Sequence, residues 1–361
     1  MIVKGLNIEN FRNIEQINIE PCENVNVIFG ENAQGKTNII EGIWLFTGCR
    51  SFRGAKDREM ISFGKSKAKL SLDFFSDNRN QNIGIEIEEK RKISLNGIDF
   101  SNPAKSIGNF SAVVFSPAHL SLIKDGPAER RKFLDTAISQ LRPQYASYLT
   151  KYNRVITQRN ALLKDINTDS ALYDMLDVFD EEAAMYAAKI AFYRKSYLEK
   201  LSDEVTEIYS GLSSGKEKFS LLYIQSEERE NFTDKNAYLE KIKKARKNDI
   251  ITGTTSVGVH REDIEICING NSARKYGSQG QQRSCALALK LGEANMIKNT
   301  ASQQPVALLD DVMSELDVSR QDYVLNHIKN WQVFITCCNV ETIRNLKDGK
   351  SFHIKNGSVI K

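Results

Sequence analysis

The first 30 residues alternate between apolar and polar positions, as half-buried strands do. Val3–Ile8 and Gln16–Ile19 show this period of two and predict a pair of strands. Val25–Phe29 is a short apolar run between polar residues, which is typical of a strand buried on both faces. A glycine-containing loop at Gly30–Lys36 and a predicted helix at Thr37–Phe46 follow it. The chain therefore begins with a β-loop-α arrangement.

Short apolar runs bounded by turn residues predict further strands along the chain. Before residue 120 they are Lys69–Phe75, Ile83–Glu88, Lys92–Leu95 and Ala112–Phe115; after residue 250 they are Val257–His260, Ile264–Ile268, Val306–Leu309 and Val333–Thr336, with a terminal hairpin at Ser351–Ile360. Helices are predicted at Gln281–Lys298 and Arg320–Lys329. This pattern indicates an α/β domain with a mixed sheet and an antiparallel β section.

Between these β-rich parts, the pattern from Pro127 to about Leu212 is helical. Apolar and aromatic side chains recur there at steps of three and four, in two series separated by the polar stretch Lys164–Ser170. The first series is Leu134, Ile138, Leu141, Tyr145, Tyr148, Tyr152, Val155, Arg159 and Leu162, and the second is Leu172, Leu176, Phe179, Ala183, Tyr186, Ile190, Tyr193 and Tyr197. Pro143 is expected to kink or restart the first helix. Two facing series favour an antiparallel helical hairpin that forms an arm, with ordinary core helices as the alternative.

Composition limits the possible classes of protein. The chain has 361 residues, enough for about two domains, and a net charge of +4. Its six cysteines show no CxxC spacing, so neither a disulfide framework nor a metal-binding cluster is expected. The start lacks a signal pattern, and no apolar run reaches the roughly 20 residues of a membrane span. We predict a cytoplasmic protein that does not enter a membrane, with an α/β head formed by residues 1–126 and 251–361 and a helical insertion at 127–250.

The segment Gly30–Thr37 matches the phosphate-binding loop (P-loop) pattern GxxxxGK[ST], between a predicted strand and a predicted helix as the pattern requires. Its glycines let backbone N–H groups turn toward a phosphate, and the helix N-terminus adds positive potential. Lys36 is predicted to reach the β- and γ-phosphates of ATP, and Thr37 to bind Mg²⁺. The predicted nucleotide contacts in this segment are Gly30, Glu31, Asn32, Ala33, Gln34, Gly35, Lys36, Thr37 and Asn38.

Two carboxylates follow the predicted buried strand Val306–Leu309. Asp310 is predicted to bind Mg²⁺ with Thr37, and Asp311 to orient or activate the attacking water. Lys36, Asp310 and Asp311 are therefore the predicted catalytic residues. Taken alone, the two aspartates are equally compatible with a helix N-cap. Beside a P-loop they indicate a Walker B element.

A second phosphate-binding element is predicted at Ser278–Arg283, just before a long helix. Ser278 offers a hydroxyl group, Gly280 permits close approach of a phosphate, and with Gln281 they lie at a helix N-terminus. Plain N-capping by Ser278 is the alternative, but a cap needs neither the glycine nor the paired glutamines. Since the P-loop already binds one face of the γ-phosphate, this second element is expected to act from a neighbouring subunit.

The order of these motifs resembles that of SMC-class ABC ATPase heads and, in detail, that of the RecF family of bacterial recombination mediators. The resemblance is carried by Asn10–Asn13, Gly30–Asn38, Ser51–Arg53, Phe115–Pro117, Gly126–Arg131, Phe133–Asp135, His260–Asp263, Ser278–Arg283, Leu308–Asp311 and Ser314–Asp317. It implies an ABC-type P-loop ATPase head interrupted by a helical arm. It also implies an ATP-dependent homodimer with weak DNA-dependent ATPase activity.

The resemblance further implies a role in DNA repair. Such a dimer would clamp DNA at gaps, where single-stranded and double-stranded DNA meet, and slow hydrolysis of ATP would trigger its release. It would work with RecR and RecO to load RecA, with links to replication restart and the SOS response.

Single residues also receive roles from the resemblance. Ser278 and Gly280 become contacts to the γ-phosphate held by the other subunit, and Ser314–Asp317 becomes the D-loop at the dimer interface. Arg12 and Asn13 become phosphate contacts within the same subunit, with a surface ion pair as the alternative for Arg12.

Three positions depart from the usual ABC pattern. Asp311 replaces the usual glutamate, Thr336 stands near the place of the switch histidine as a candidate sensor, and Ser116 stands where a Q-loop glutamine is expected. These departures favour a slow, nucleotide-gated switch over a motor.

Two basic clusters are the predicted DNA contacts. Arg130 and Arg131 open the helical insertion, and Lys243, Lys244 and Arg246 lie near its end. Such clusters can neutralise phosphates without reading base sequence, although a solvated helix face is the more usual meaning of a charge run.

Two other functions compete with DNA repair. An ATPase subunit of a transporter is disfavoured by the long helical region between Lys36 and Ser278. A nucleotide-binding scaffold with little turnover is disfavoured by the intact Lys36, Thr37 and Asp310.

Overall fold

The computed structural model describes residues 1–100, 102–166, 170–225, 233–338 and 349–360. The chain divides into two compact units, the first formed by Met1–His119 with Leu287–Lys361 and the second by Leu120–Ala286. The sequence-based division at residues 127 and 251 stays a prediction. Part of the predicted turn Lys164–Ser170 lies outside the described residues.

The strands and helices follow the predicted succession closely. The strands are β1 (Ile2–Phe11), β2 (Ile14–Ile19), β3 (Val25–Phe29), β4 (Ala68–Ser76), β5 (Arg79–Ile87), β6 (Arg91–Leu95), β7 (Ile98–Asp99), β8 (Ala112–Phe115), β9 (Phe219–Ile224), β10 (Asp263–Ile268), β11 (Asn271–Ser272), β12 (Val306–Leu309), β13 (Val333–Cys337), β14 (Gly349–Lys355) and β15 (Ser358–Ile360). The α-helices are α1 (Lys36–Leu45), α2 (Ser121–Lys124), α3 (Pro127–Leu141), α4 (Pro143–Asp165), α5 (Leu176–Leu212), α6 (Lys235–Thr252), α7 (Ala273–Tyr276), α8 (Gln279–Ala301) and α9 (Val318–His327). Short 3₁₀ turns lie at Asp57–Met60, Pro103–Ser106, Pro117–Leu120, Ser170–Met175 and Met313–Glu315.

The first unit contains two six-stranded sheets. One is antiparallel, in the order β2-β1-β4-β5-β6-β7, and its β1 and β4 alternate between buried and exposed positions as a half-buried strand must. The other has the order β15-β14-β3-β13-β12-β8 and is parallel from β14 to β8. Every residue of β8 and β12 is buried, which confirms that these apolar runs are buried strands, β12 within the sheet and β8 at its edge.

Helix α1 packs against both sheets of the first unit. Its side chains Ile39, Ile40, Ile43, Trp44 and Leu45 are buried in one core with residues of both sheets. Burial of an aliphatic side chain of this size contributes roughly 1.5–3 kcal/mol, so the burial of these side chains holds α1 in place after β3.

The predicted helical hairpin is present in the second unit. A new helix begins at Pro143, as expected, and α4 and α5 run antiparallel: Arg194 donates to Tyr145 near the start of α4, and Arg159 donates to Asp180 nearer its end. Among the described residues, no helix combines the length and the apolar character that crossing a membrane requires.

A buried network of charges ties three helices of the second unit together. The guanidinium group of Arg159 on α4 is fully buried and donates to Asp180 of α5 at 2.7 Å and to Asp249 of α6 at 2.8 Å. Arg246 of α6 donates to the other oxygen of Asp180 at 2.6 Å. The predicted apolar series thus has an arginine near its end, neutralised by carboxylates from the neighbouring helices.

The predicted strand Val257–His260 is wrong, because this segment is a tight turn. Gly258 has φ of 132°, and a Cβ atom there would lie 2.2 Å from the Tyr152 hydroxyl. The Val259 carbonyl accepts from Arg194 at 2.7 Å instead of from a neighbouring strand, and the His260 ring is hydrogen-bonded to Tyr152. Burial lowers the pKa of His260 to about 4, so this histidine is a packed, neutral side chain.

Helix α6 was not among the predicted helices. The sequence carries its end signals: Asp234 accepts a capping bond from the Ala237 N–H at 2.9 Å, and Gly253 ends the helix with φ of 63°. Both caps are local signals, from which this helix could have been predicted.

We expect Arg159→Met to lower the free energy of unfolding by about 3–5 kcal/mol, because the change leaves buried carboxylates without their cation. Arg154→Met, at an exposed position of the same helix, is the matched control and should change stability by less than about 0.5 kcal/mol. Denaturant titration followed by circular dichroism measures both. Equal stability of the two variants would show that the network does not hold the helices together.

Candidate nucleotide-binding site

Three adjacent parallel strands bring the main predicted motifs to one edge of the second sheet. β13 pairs with β3 on one side and with β12 on the other. Ile28 lies opposite Thr336, and Leu309 lies opposite Ile335. Since the carboxyl ends of parallel strands meet at one edge, the P-loop, Thr336 and Asp310 come together although they are far apart in the chain.

The P-loop turns sharply into α1. Gly35 has φ of 110°, and a Cβ atom there would lie 2.8 Å from the Asn13 side-chain oxygen. Buried Lys36 extends back over the loop, and its Nζ donates to the carbonyls of Gly30 at 2.8 Å and Glu31 at 2.9 Å. The ammonium group therefore lies over the concave side of the loop, where a phosphate-binding loop needs its cation.

The C-terminal hairpin is hydrogen-bonded to the P-loop, a contact that sequence reasoning missed. The backbone N–H groups of Asn356 and Gly357, at the turn between β14 and β15, donate to the side chain and the carbonyl of Gln34 at 2.6 and 2.9 Å. The His353 ring stacks on Phe29, with ring centres 4.7 Å apart. The parallel pairing of β14 with β3 brings the hairpin to the P-loop, and no local pattern in the sequence predicts these contacts.

Asp310 lies at the centre of the site. Its Oδ1 accepts from the Thr37 hydroxyl at 2.9 Å and lies 3.0 Å from the Thr336 hydroxyl oxygen. Burial raises the pKa of Asp310; the hydrogen bonds from Thr37 and Thr336 oppose this shift, and the nearby charge of Asp311 adds to it. A buried carboxylate in this position gains from a cation placed beside it.

Asp311 is fixed by its backbone as well as by its neighbours. Its φ of 50° is unusual for a residue with a side chain, and its N–H donates to Thr336 Oγ1 at 2.8 Å. Ser314, the first residue of the predicted D-loop, donates to the Asp311 carbonyl at 2.8 Å. Thr336 thus contacts both aspartates, which supports its selection as a candidate sensor.

Sequence reasoning also missed Glu41, a fully buried carboxylate on α1. It accepts from Arg12 through Nε at 3.1 Å and Nη2 at 3.0 Å, and Ser51 donates to it as well. The third nitrogen of Arg12 donates to the Glu59 carbonyl at 3.0 Å. Arg12 therefore forms an ion pair, but with a buried carboxylate and not the surface partner of the alternative, and its contact with a phosphate stays a prediction.

Asn13, a predicted phosphate contact, lies against the P-loop. Its side-chain nitrogen donates to the Ala33 carbonyl at 3.3 Å, and its oxygen accepts from Asn38 at 2.7 Å. Arg53 donates to the side-chain oxygen of Asn38 at 2.9 Å. The role of Asn13 at the nucleotide stays a prediction, as do the roles of the P-loop residues and Asn38.

Ser278, Gly280 and Gln281 belong to the second compact unit, at the start of α8. Ser278 and Gln281 form a reciprocal capping box: the Ser278 N–H donates to the Gln281 side chain at 2.7 Å, and the Gln281 N–H donates to Ser278 Oγ at 3.2 Å. The capping alternative is thus realised. It does not exclude phosphate binding, because an accepting hydroxyl oxygen leaves its own proton free to donate.

The predicted DNA contacts differ in their environments. Arg130 and Arg246 are buried and bound to carboxylates: Arg130 donates to Asp263 at 2.7 and 2.8 Å, and Arg246 donates to Asp180. Arg131 donates to the Glu262 carbonyl at 2.8 Å. The two buried guanidinium groups already have carboxylate partners, so their placement argues against the predicted contact with DNA phosphates.

Lys243 and Lys244, the other members of the predicted DNA clusters, are exposed. Lys243 lies 3.9 Å from a carboxylate oxygen of Asp177. Their contact with DNA stays a prediction.

Comparison with known proteins gives consistent results over the full length. The model of the RecF/RecN/SMC N-terminal domain family matches residues 2–359. Proteins named DNA replication and repair protein RecF, from Lachnospira eligens and Clostridioides difficile, are 38% and 39% identical to the chain, covering 100% of it and 99% and 98% of their own lengths. These matches confirm the family predicted from the motifs.

Solved structures agree with this family assignment. The structure of "the recombination mediator protein RecF-ATP in RecFOR pathway" is 36% identical, with a TM-score of 0.91 over 100% of this chain and 97% of that one. The Smc head domain from Pyrococcus furiosus, 16% identical with a TM-score of 0.55, covers 99% of this chain and 95% of that one and shares the fold. The predicted ABC-type head with a helical insertion is confirmed, and the chain belongs to the RecF/RecN/SMC N-terminal domain family and, within it, to the RecF proteins.

Proposed function

We propose that this protein is an ATP-gated DNA-binding protein of recombinational repair. ATP held at the P-loop joins two copies into a dimer that clamps DNA at gaps, and slow hydrolysis releases it. The observation that carries the proposal is the convergence of Lys36, Thr37, Asp310 and Thr336 at the start of α1, in a chain that matches RecF proteins from end to end.

ATP fits the site because the cationic and hydrogen-bonding groups of the protein are already assembled there. Lys36 would move from the Gly30 and Glu31 carbonyls to the β- and γ-phosphates, within the reach of the same side chain. The backbone N–H groups at the start of α1 would bind the remaining phosphate oxygens. The RecF structure with ATP, which matches the whole chain, supports this assignment.

Mg²⁺ fits the same site. Thr37 Oγ1 and Asp310 Oδ1 are 2.9 Å apart, and a hydroxyl paired with a carboxylate is the oxygen donor set that Mg²⁺ takes beside a nucleotide. Bound there, the ion would offset the negative charge of the phosphates. Both residues would hold it, and Thr336 would keep the Asp310 carboxylate in place.

Asp311 is the proposed group that orients the attacking water. The water oxygen would bond to the γ-phosphorus while the bond from that phosphorus to the β–γ bridging oxygen breaks, and Asp311 would accept a proton from the water, giving ADP and phosphate. An aspartate reaches less far than the glutamate usual at this position, so weak turnover is expected. DNA dependence would follow if bound DNA favours the dimer in which hydrolysis occurs.

A second copy of the chain is proposed to complete each nucleotide site. Ser278 is exposed, and its hydroxyl has a proton to donate beyond the capping box. Together with Gly280 and the N-terminus of α8, it would contact the γ-phosphate held by the other copy. ATP would then act mainly as a link between two copies.

DNA, RecR and RecO are the proposed partners, with RecA loading as the outcome and the cytoplasm as the location. The pathway named for the solved RecF structure supports the assignment to repair.

ATP is expected to raise the fraction of dimer in wild-type protein. Lys36→Ala should weaken ATP binding at least about tenfold, or 1.4 kcal/mol, and remove the rise. Ser278→Arg should keep ATP binding but should also remove the ATP-dependent rise in dimer fraction, because the larger cation blocks the surface offered to the other copy. Light scattering with and without ATP measures the dimer, and a fluorescent ATP analogue measures binding.

Lys4→Ala and Ser210→Arg, both at exposed positions, are the matched controls and should dimerise like wild type. A wild-type protein that stays monomeric with ATP, in the presence and absence of DNA, would contradict the proposed link.

Binding to gapped DNA should tighten with ATP and weaken as salt rises. The logarithm of the binding constant should fall linearly with the logarithm of salt, because bound phosphates release counterions. Fluorescence anisotropy of a labelled gapped duplex across a salt series measures both effects. Lys36→Ala should lose the ATP effect and keep the salt slope, whereas wild-type binding that ignores ATP would contradict nucleotide gating.

A further inference from the structure

The helices α4 and α5 of the second unit show a marked separation of charge. From Pro143 to Lys164 the sequence has no Asp or Glu, and from Ala183 to Leu198 it has none either. The whole chain has 46 acidic residues in 361, so stretches of this combined length would ordinarily hold several. The antiparallel packing of α4 on α5 puts these two stretches side by side.

Lysines and tyrosines meet where the two stretches pack. Lys189 of α5 places its Nζ 4.8 Å from the ring centre of Tyr148 on α4, and Lys151 of α4 places its Nζ 5.9 Å from the ring centre of Tyr186 on α5. The ring of Tyr148 lies 6.3 Å from that of Tyr186 and 6.4 Å from that of Tyr193. We call Tyr148, Lys151, Tyr186, Lys189 and Tyr193 the tyrosine–lysine patch.

Both lysines of the patch are available to a ligand. Lys151 and Lys189 are exposed, and within the described part of the chain neither is ion-paired with a carboxylate. The tyrosine rings hold the two ammonium groups in place, so that binding an anion costs less side-chain entropy than it does for a free lysine. This contrasts with Arg130 and Arg246, whose guanidinium groups are buried against carboxylates.

The chemistry of the patch favours phosphate over stacked bases. The lysines lie over faces of the Tyr148 and Tyr186 rings, which therefore offer little space for a base. The Tyr148 and Tyr193 hydroxyls lie at the same place, bridged by Gln144 at 2.7 and 3.2 Å, and tyrosine hydroxyls bind phosphate oxygens in many DNA complexes. Packing of α4 on α5 explains the rings, but it requires neither the exposed lysines nor the absence of acids.

We propose that the tyrosine–lysine patch binds the phosphodiester backbone of DNA. The inference rests on the proposed function, since it assigns a surface to the DNA binding proposed above. Its cations contact phosphates without reading bases, so binding is indifferent to sequence and sensitive to salt.

The test compares Lys151→Gln/Lys189→Gln with wild type by fluorescence anisotropy over a salt series, on duplex, single-stranded and gapped DNA. Each lost phosphate contact lowers the salt slope by about 0.9 on duplex and 0.7 on single strands, so the double variant should lose about 1.8 or 1.4. The size of the loss on each DNA shows which form the patch holds. Lys151→Glu/Lys189→Glu should weaken binding at low salt further, by at least about tenfold relative to wild type.

The matched control is Lys200→Gln/Lys216→Gln, which removes two exposed lysines of the same unit outside the patch and should keep the wild-type slope. ATP-driven dimerisation of every variant should equal that of wild type, which shows that each one is folded. A patch variant with the slope and affinity of the control would overturn the assignment while the proposed function stands. Wild-type protein that binds none of the three DNAs would overturn both.

Discussion

The register of β3, β13 and β12 is the constraint on which the candidate site depends. Parallel pairing sets Ile28 beside Thr336, and one strand further it sets Leu309 beside Ile335. The residues that directly follow these strands therefore lie close together at the carboxyl edge of the sheet. A slip of one residue in β12 would reverse the direction of its side chains and remove Asp310 from Thr37. The burial of these strands fixes the register, so the hydrophobic core and the chemistry of the site are one constraint.

Burial decides which of the many cations are free for function. The second unit encloses Arg130, Arg159 and Arg246 among carboxylates, where Arg159 and Arg246 join helices and Arg130 joins α3 to β10. Lys151 and Lys189 remain at the surface, on two helical stretches whose own sequences contain no Asp or Glu. A count of basic residues along the sequence does not distinguish the two groups, because the carboxylate partners come from distant segments.

Much of the fold and the site could be predicted from local signals. The P-loop, β12 and Pro143 each carry a pattern that needs only neighbouring residues, and the structure has each element where it was expected. Contacts between distant segments could not be predicted. The hairpin turn at Gly357 that supports Gln34, and Glu41 that binds Arg12, depend on strand pairing and helix packing. The predicted strand around Gly258 was wrong for the same reason, since Tyr152 and Arg194, from distant segments, impose a turn there.

The central claim is that the P-loop of one copy and the Ser278 loop of another form one site. Mixing Lys36→Ala protein with Ser278→Arg protein and measuring ATP hydrolysis tests it most directly. In a two-fold dimer of the two variants, one site carries both lesions and the other carries none. The equimolar mixture should therefore recover about a quarter of wild-type turnover or more, although each variant alone is inactive. A mixture as inactive as its components would show that each copy works with a complete site of its own.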